Sequence, residues 1–317
     1  MQSYALSKAE RLHVERLVDT VAGGIDSVED EAFVARRARL ASAELPVGLR
    51  AAVLDFRTHE SGAGLRISGW DIESDLPATP TRPRPVESAK GTLRHDVYFY
   101  LVAELVGDPV GWATQQQGRI MHDIYPLESM QSDQIGWSSD TVLTWHTEDA
   151  FHPYRADYLG LCCLRNPTNV GTTYADVRNV TLSAKSTERL RQPSFVFIAD
   201  AAHAVNGSAG IQHGSILFGD PKDPYLRLDP EYMQDAEDSR DRAAVDEITD
   251  AINIALERAI LEPGDLFFID NFRAVHGRER FQARFDGTDR WLRRMNITRD
   301  LRKSRDARAS AGSRVIL

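Results

Sequence analysis

Apolar and polar positions near the start of the chain recur with helical spacing. Ser7 and the glutamate three positions later match a capping box, and an apolar stripe follows until Gly23. A second helical pattern begins at Ser27 and reaches about Ser42. Pro46, a residue type favoured in the first turn of a helix, begins a third. The pattern predicts a helical N-terminal portion of about 60 residues.

The pattern changes after a further apolar helix predicted near residues 95–105. From there the apolar runs are short and are separated by glycine and proline turns, which is typical of strands. Many short strands of this kind predict a mainly β fold, a sandwich or jelly roll with flanking helices. The predicted strands are residues 158–164, 194–198, 215–218, 266–269 and 291–298.

One helical pattern interrupts these strands. Apolar residues recur at helical spacing over residues 243–260, before Pro263 and Gly264 end the segment. The acidic residues 232–241 ahead of it carry few large apolar side chains, so we expect a lid segment over about residues 220–242. With no internal repeat and no separate linker, we predict a single domain over residues 1–317.

Composition and charge narrow the possible partners. Lys and Arg total 38 against 47 Asp and Glu, so the net charge is -9, and nucleic acid is not an expected partner. No apolar stretch approaches the ~20 residues that span a bilayer, and the charged start does not resemble a signal peptide. We therefore expect a cytoplasmic protein without a membrane partner.

Cys162 and Cys163 are expected on opposite faces of one strand, and the oligomeric state is left open.

Three residues form a candidate metal site. His146 and Glu148 are two positions apart, so on a strand both side chains would leave the same face. His276 follows another predicted strand and completes two imidazoles and one carboxylate. This set is the facial triad of non-haem iron(II) enzymes, which leaves three coordination positions open.

Two arginines near the C-terminus are candidate anion-binding residues. On a strand, Arg290 and Arg294 would face the same way, roughly 13 Å apart. A guanidinium binds a carboxylate through two parallel hydrogen bonds. The two arginines could therefore hold two carboxylates around one metal, although surface positions or structural salt bridges are the alternative.

Two other functions use the same residues. A zinc hydrolase could use His146, Glu148 and either His152 or His276, but no H-E-x-x-H pattern is present and both arginines would be unexplained. A non-catalytic jelly-roll binding module would be expected to lack part of the triad or the arginines. No nucleotide-binding glycine loop and no G-x-S-x-G motif is present.

Two long runs carry a family resemblance. WHTEDAFHPYRADYLGLCCLRNP and FIDNFRAVHGRERFQARFDGTDRWLRRMNITRDL closely resemble the clavaminate synthase-like 2-oxoglutarate oxygenases, in particular the arginine β-hydroxylase of viomycin biosynthesis. The likeness extends over about residues 95–305 and includes WATQQQGRIMHDIYP and YLRLD. It implies a double-stranded β-helix (jelly roll) core with His146, Glu148 and His276 as iron ligands.

The resemblance also implies roles for other residues. It places Arg290 and Thr173 at 2-oxoglutarate, with Arg294 on the substrate α-carboxylate. The remaining implied substrate contacts are Gln115 on the amino group, Glu148, and the acidic residues Asp229 and Glu231. At Glu231 the arginine hydroxylase has an aspartate, and at Pro230 a glycine, so the substrate is left open.

The activity implied by the resemblance is an oxidation in natural-product biosynthesis. The cofactors would be Fe(II), 2-oxoglutarate as co-substrate, and O2. The small-molecule substrate would be a free basic L-amino acid hydroxylated at Cβ or Cγ, with L-arginine first. Capreomycidine, an enduracididine-type precursor, lysine or ornithine, and desaturation in place of hydroxylation, are the alternatives.

Overall fold

A computed structural model describes residues 1–72, 76–83, 91–199, 203 and 211–317 of the chain. This described part contains sixteen strands and six α-helices. The strands are β1 (Gln2–Ala5), β2 (Gly64–Ser68), β3 (Asp108–Trp112), β4 (Met121–Ile124), β5 (Leu143–His146), β6 (Tyr158–Arg165), β7 (Gly171–Asp176), β8 (Phe195–Ile198), β9 (Ile211–Gly214), β10 (Leu217–Gly219), β11 (Pro224–Leu226), β12 (Glu257–Ile260), β13 (Leu266–Asp270), β14 (Ala274–Arg278), β15 (Trp291–Thr298) and β16 (Val315–Ile316). The helices are α1 (Lys8–Ala22), α2 (Ala38–Ser42), α3 (Val47–His59), α4 (Leu93–Val106), α5 (Ala184–Leu190) and α6 (Ser239–Ala255).

The predicted N-terminal helices are confirmed. Ser7 caps α1 through its side chain and Glu10 closes the capping box, while the buried face of the helix packs on the core. A π-helical turn at Phe33–Arg37 leads into α2. Pro46 is the residue before α3 rather than its first turn.

Two sheets form the centre of the molecule. The larger has the order β1-β2-β13-β6-β15-β3-β16, with β4 also paired to β15, and the smaller has the order β12-β7-β14-β5. Side chains alternate along β6: Cys162 belongs to the core beneath α1–α4, whereas Cys163 belongs to the core shared with the smaller sheet. The prediction that the two cysteines face opposite sides is therefore confirmed, and both are unbridged.

The helix predicted over residues 243–260 is wrong at both ends. Helix α6 begins at Ser239, where Asp238 caps it, and ends at Ala255. Residues 257–260 form β12 instead, because they pair with β7 at the edge of the smaller sheet. Edge pairing overrides the helical spacing of the last apolar residues. Among the described residues, no helix is long and apolar enough to cross a membrane.

A buried charge network ties the helical layer to β15. Arg293 contacts both carboxylate oxygens of Asp96 on α4 at 2.8 and 2.9 Å and also pairs with Asp123 on β4. Asp123 in turn accepts a hydrogen bond from the Trp291 indole at 2.8 Å. All three charged residues are at most 3% exposed. The strand that carries Arg294 is therefore held from behind by hydrogen-bonded charges.

This network predicts a large loss of stability in Arg293→Met. Asp96 would lose its cation and Asp123 the nearer of its two, which costs about 3–5 kcal/mol in the free energy of unfolding. Urea unfolding followed by circular dichroism measures this change. Arg302→Met is the matched control, because Arg302 pairs with Asp300 at the surface and its side chain is 91% exposed. Equal midpoints for the two variants would contradict the structural role of Arg293.

Candidate metal and substrate site

The two histidines of the predicted triad lie on neighbouring strands. His276 on β14 pairs directly with His146 at the end of β5 in the smaller sheet. Their ring centroids are 4.7 Å apart. Gly277 allows the close approach, because a Cβ there would lie 2.5 Å from the carbonyl oxygen of Leu143. The cross-strand pairing therefore directs both imidazoles to one point.

Glu148 reaches the same point from outside the strand. Strand β5 ends at His146, so the expectation that both residues share one strand is wrong. Instead, Asn271 accepts a hydrogen bond from the Glu148 amide at 2.9 Å and donates one to its carbonyl at 3.1 Å. The neighbouring Thr147 amide donates to the carbonyl of Leu228 at 2.8 Å. These contacts, rather than strand geometry, position the carboxylate.

The three side chains fit a divalent metal ion. Glu148 Oε2 lies 3.3 Å from His276 Nε2 and 3.6 Å from His146 Nε2. Ligands at about 2.1 Å from one ion, at right angles, are about 3 Å apart, so a small movement would complete the site. Glu148 Oε2 is buried and has no hydrogen-bond partner among the described residues. The described residues contain no second such cluster, and His152 lies outside this one.

The charges of the site favour an ionised carboxylate. Burial would raise the pKa of Glu148, but the Arg294 cation and the two imidazoles hold that pKa well below its ordinary value. Burial would lower the pKa of His146, but the neighbouring Glu148 carboxylate and the charge of Asp229 raise the pKa to about 9. Burial lowers the pKa of His276. The Glu148 carboxylate is therefore a strongly stabilised anion.

Arg294 connects the triad to the remainder of the site. Its Nη1 lies 2.6 Å from Glu148 Oε1, which leaves Oε2 directed at the histidines. Its Nη2 donates to Gln115 Oε1 at 3.0 Å and to His122 Nδ1 at 2.9 Å. The Arg294 Nε atom is buried without a hydrogen-bond partner in the described structure. The predicted residues Gln115, Glu148 and Arg294 are thus in direct contact.

Arg290 precedes β15, and its neighbour is Thr172 rather than Thr173. Arg290 Nη2 lies 3.2 Å from Thr172 Oγ1, and Arg290 Nε has no partner in the part of the chain that is described. On β7, Thr172 pairs with Arg278 and Thr173 with Gly277, so the two threonines face opposite sides of the sheet. Thr172 lines the cavity and Thr173 does not. Thr172, and not the predicted Thr173, is therefore the threonine beside Arg290 in the cavity.

The acidic pair is brought to the same cavity, but its members differ. Asp229 is 8% exposed, and its Oδ1 accepts hydrogen bonds from the amides of Glu231 and Tyr232. Glu231 is exposed at the rim and accepts a hydrogen bond from Thr144 Oγ1 at 3.0 Å. The expected lid segment therefore contributes both acids to the cavity wall. Only Asp229 is shielded from solvent.

Sequence reasoning missed several residues around this site. Asp149 has a left-handed backbone (φ 50) and accepts a hydrogen bond from the Trp112 indole at 2.7 Å. Its other oxygen lies 3.1 Å from His203 Nε2, which is also 2.7 Å from the Gln115 amide nitrogen. Arg278 is buried and donates to backbone and hydroxyl oxygens of the 138–141 turn. The position of Arg278 two residues after His276 could have indicated its inward direction.

The triad, Gln115, Asp149, Thr172, both acids and three arginines line one cavity of about 400 Å³. Imidazole and carboxylate groups occupy the metal end, and the guanidinium groups of Arg278, Arg290 and Arg294 line its walls. Burial and the neighbouring Arg290 charge lower the pKa of Arg278 to about 9, and burial lowers the pKa of Arg290 to about 10. Neither arginine has a carboxylate partner among the described residues. The cavity is therefore suited to an anionic ligand beside a metal.

Known proteins are similar in sequence to this chain over nearly its whole length. The family model described as taurine catabolism dioxygenase TauD, TfdA family, matches residues 97–296. The enduracididine β-hydroxylase of Streptomyces hygroscopicus is 46% identical, and the match covers 96% of each protein. The L-ornithine/L-arginine 3-hydroxylase of Catenulispora acidiphila is 36% identical, with 100% of each protein covered.

Solved structures share the fold. The non-heme iron oxygenase OrfP in complex with Fe and alpha-ketoglutaric acid has a TM-score of 0.92 at 38% identity, covering 99% of this chain and 100% of that chain. OrfP in complex with Fe and L-Arg has a TM-score of 0.89 at 35% identity, covering 100% of both chains. The predicted double-stranded β-helix is thereby confirmed. With its match to the family model and its identity to these relatives, the chain belongs to the TauD/TfdA family of Fe(II)/2-oxoglutarate-dependent oxygenases.

Proposed function

We propose that the protein hydroxylates Cβ or Cγ of a free basic L-amino acid, with L-arginine as the first candidate. The observation that carries this proposal is the buried carboxylate of Asp229 in the wall of the cavity that also contains the His/Glu/His cluster. A buried acid at this place favours a substrate with a cationic side chain. Neutral and acidic side chains would bring no cation to that carboxylate.

In this proposal each group of the cavity has a separate task. His146, Glu148 and His276 hold Fe(II), which with 2-oxoglutarate and O2 supplies the oxidation of the C–H bond. Arg290 and Thr172 bind the distal carboxylate of 2-oxoglutarate, while Arg294 binds the substrate α-carboxylate. Gln115 accepts from the substrate α-ammonium group, and Glu148 and Arg294 remain paired beside it.

Asp229 and Glu231 bind the cationic end of the substrate in this proposal. The two relatives named for enduracididine and for L-ornithine/L-arginine support a guanidine or amine substrate. Capreomycidine, an enduracididine-type precursor and lysine, as well as desaturation, are the competing outcomes. A cytoplasmic location and the absence of nucleic acid and membrane partners stay predictions from the sequence.

The direct test of the proposal is turnover with defined metals and amino acids. Metal-stripped protein is reconstituted anaerobically with Fe(II) and 2-oxoglutarate and then exposed to air with arginine, lysine, ornithine, capreomycidine, enduracididine or leucine. We expect a mass gain of one oxygen on a basic amino acid, in step with succinate. Zn(II) should not replace Fe(II). Succinate release without any oxidised amino acid would refute the proposed substrate class.

The role of Asp229 predicts a specific effect of Asp229→Asn. The amide keeps an oxygen for the two backbone hydrogen bonds but removes the charge. Loss of a hydrogen bond to a charged group costs about 1.5–3 kcal/mol, so KM for L-arginine should rise about tenfold to a hundredfold. Asp235→Asn is the control, because Asp235 is an exposed acid of the same segment outside the cavity. Equal KM values in both variants, with iron bound, would remove Asp229 from the substrate site.

The two threonines of β7 provide a second matched pair. Thr172→Val should raise KM for 2-oxoglutarate severalfold, since it removes the hydroxyl beside Arg290 while conserving the shape of the side chain. Thr173→Val should leave that KM unchanged, because its side chain faces the other side of the sheet. Initial rates of succinate formation at varied 2-oxoglutarate measure both. A larger effect at Thr173 would restore the assignment made from the sequence.

A further inference from the structure

A buried histidine in the cavity wall has no task in the scheme above. His122 on β4 pairs directly with Arg294 on β15, and it is 3% exposed. Its Nδ1 lies 2.9 Å from Arg294 Nη2, and its Nε2 lies 3.0 Å from the carbonyl oxygen of Arg119. Each ring nitrogen thus has a partner with a fixed role, because a guanidinium only donates and a carbonyl only accepts.

These partners determine the tautomer of the imidazole. Nε2 must carry the proton that it donates to the Arg119 carbonyl, so Nδ1 presents its lone pair to Arg294. Burial, followed by the charge of Arg294, lowers the pKa of His122 to about 3. The ring is therefore a neutral acceptor at physiological pH and contributes no charge to the site.

The other contacts of the Arg294 guanidinium explain why a neutral His122 matters. Arg294 Nη1 pairs with Glu148 Oε1, and Arg294 Nη2 donates to Gln115 and to His122. Arg294 Nε has no partner among the described residues. We propose that His122 is a positioning residue that orients the Arg294 guanidinium toward the substrate α-carboxylate without adding a second negative charge to the one that Glu148 already places beside it. A carboxylate in its place would orient the guanidinium equally well but would compete with the substrate for it. The inference rests on the proposed function, in which Arg294 binds that carboxylate.

The test compares three substitutions with two ligands. L-Arginine carries the α-carboxylate and agmatine lacks it, and both are titrated calorimetrically into the anaerobic Fe(II)–2-oxoglutarate enzyme. His122→Phe should raise Kd for L-arginine about tenfold or more and leave Kd for agmatine unchanged. His122→Asn should stay near the wild type, because its amide oxygen can take the place of Nδ1. His122→Asp should weaken binding of L-arginine at least as much as His122→Phe, because it places a second carboxylate beside Arg294 that competes with the substrate.

A matched control separates positioning from general destabilisation. His95 is also buried and accepts at Nδ1 from the Trp70 indole at 3.1 Å, but it lies outside the cavity. His95→Phe should change neither dissociation constant. Unchanged L-arginine binding in His122→Phe, or an equal loss for agmatine, would overturn the inference while leaving the proposed function intact. A wild-type enzyme that neither binds nor oxidises basic amino acids would instead refute the proposed function.

Discussion

The ion pair between Arg294 and Glu148 is the contact on which the rest of the site depends. A buried carboxylate is costly unless a cation and hydrogen bonds compensate it, and Arg294 at 2.6 Å supplies that compensation. The pairing engages one oxygen of Glu148 and directs the other at the two histidines. It also places a guanidinium immediately beside the candidate metal site. The same contact therefore sets the charge of the candidate ligand Glu148 and, in the proposed function, the position at which an amino acid binds.

Strand β15 makes this arrangement rigid. Consecutive residues of the strand face opposite sides, so Arg293 enters the network beneath the helices while Arg294 enters the cavity. Asp96 and Asp123 neutralise Arg293 on one side, and Glu148 engages Arg294 on the other. The backbone between two such anchored side chains has little freedom to move.

The sequence predicted the residue types of the site better than the way they are placed. His146, Glu148 and His276 could be found because two imidazoles and a carboxylate are a rare combination, and the structure brings them together. The alternation of side chains along a strand was used to predict the directions of the triad and of the two arginines. It does not apply to Glu148 or Arg290, because both lie just outside strands. The contacts that do position them come from distant segments, such as Asn271 to Glu148. Such pairings are not visible in local spacing.

The resemblance indicates Thr173 beside Arg290, whereas the structure places Thr172 there, one residue away. Motif matching identifies a short segment of the chain near a site. The strand register determines which side chains of that segment face the site, and a shift of one position moves a side chain to the opposite face. Here β14 determines the answer, because Arg278 pairs with Thr172 and both have His276 on their side of the sheet. Arg278 and Arg290 then stand near each other without carboxylate partners among the described residues. An anion between or beside two desolvated cations stabilises both of them, so this end of the cavity favours an anionic ligand such as a dicarboxylate.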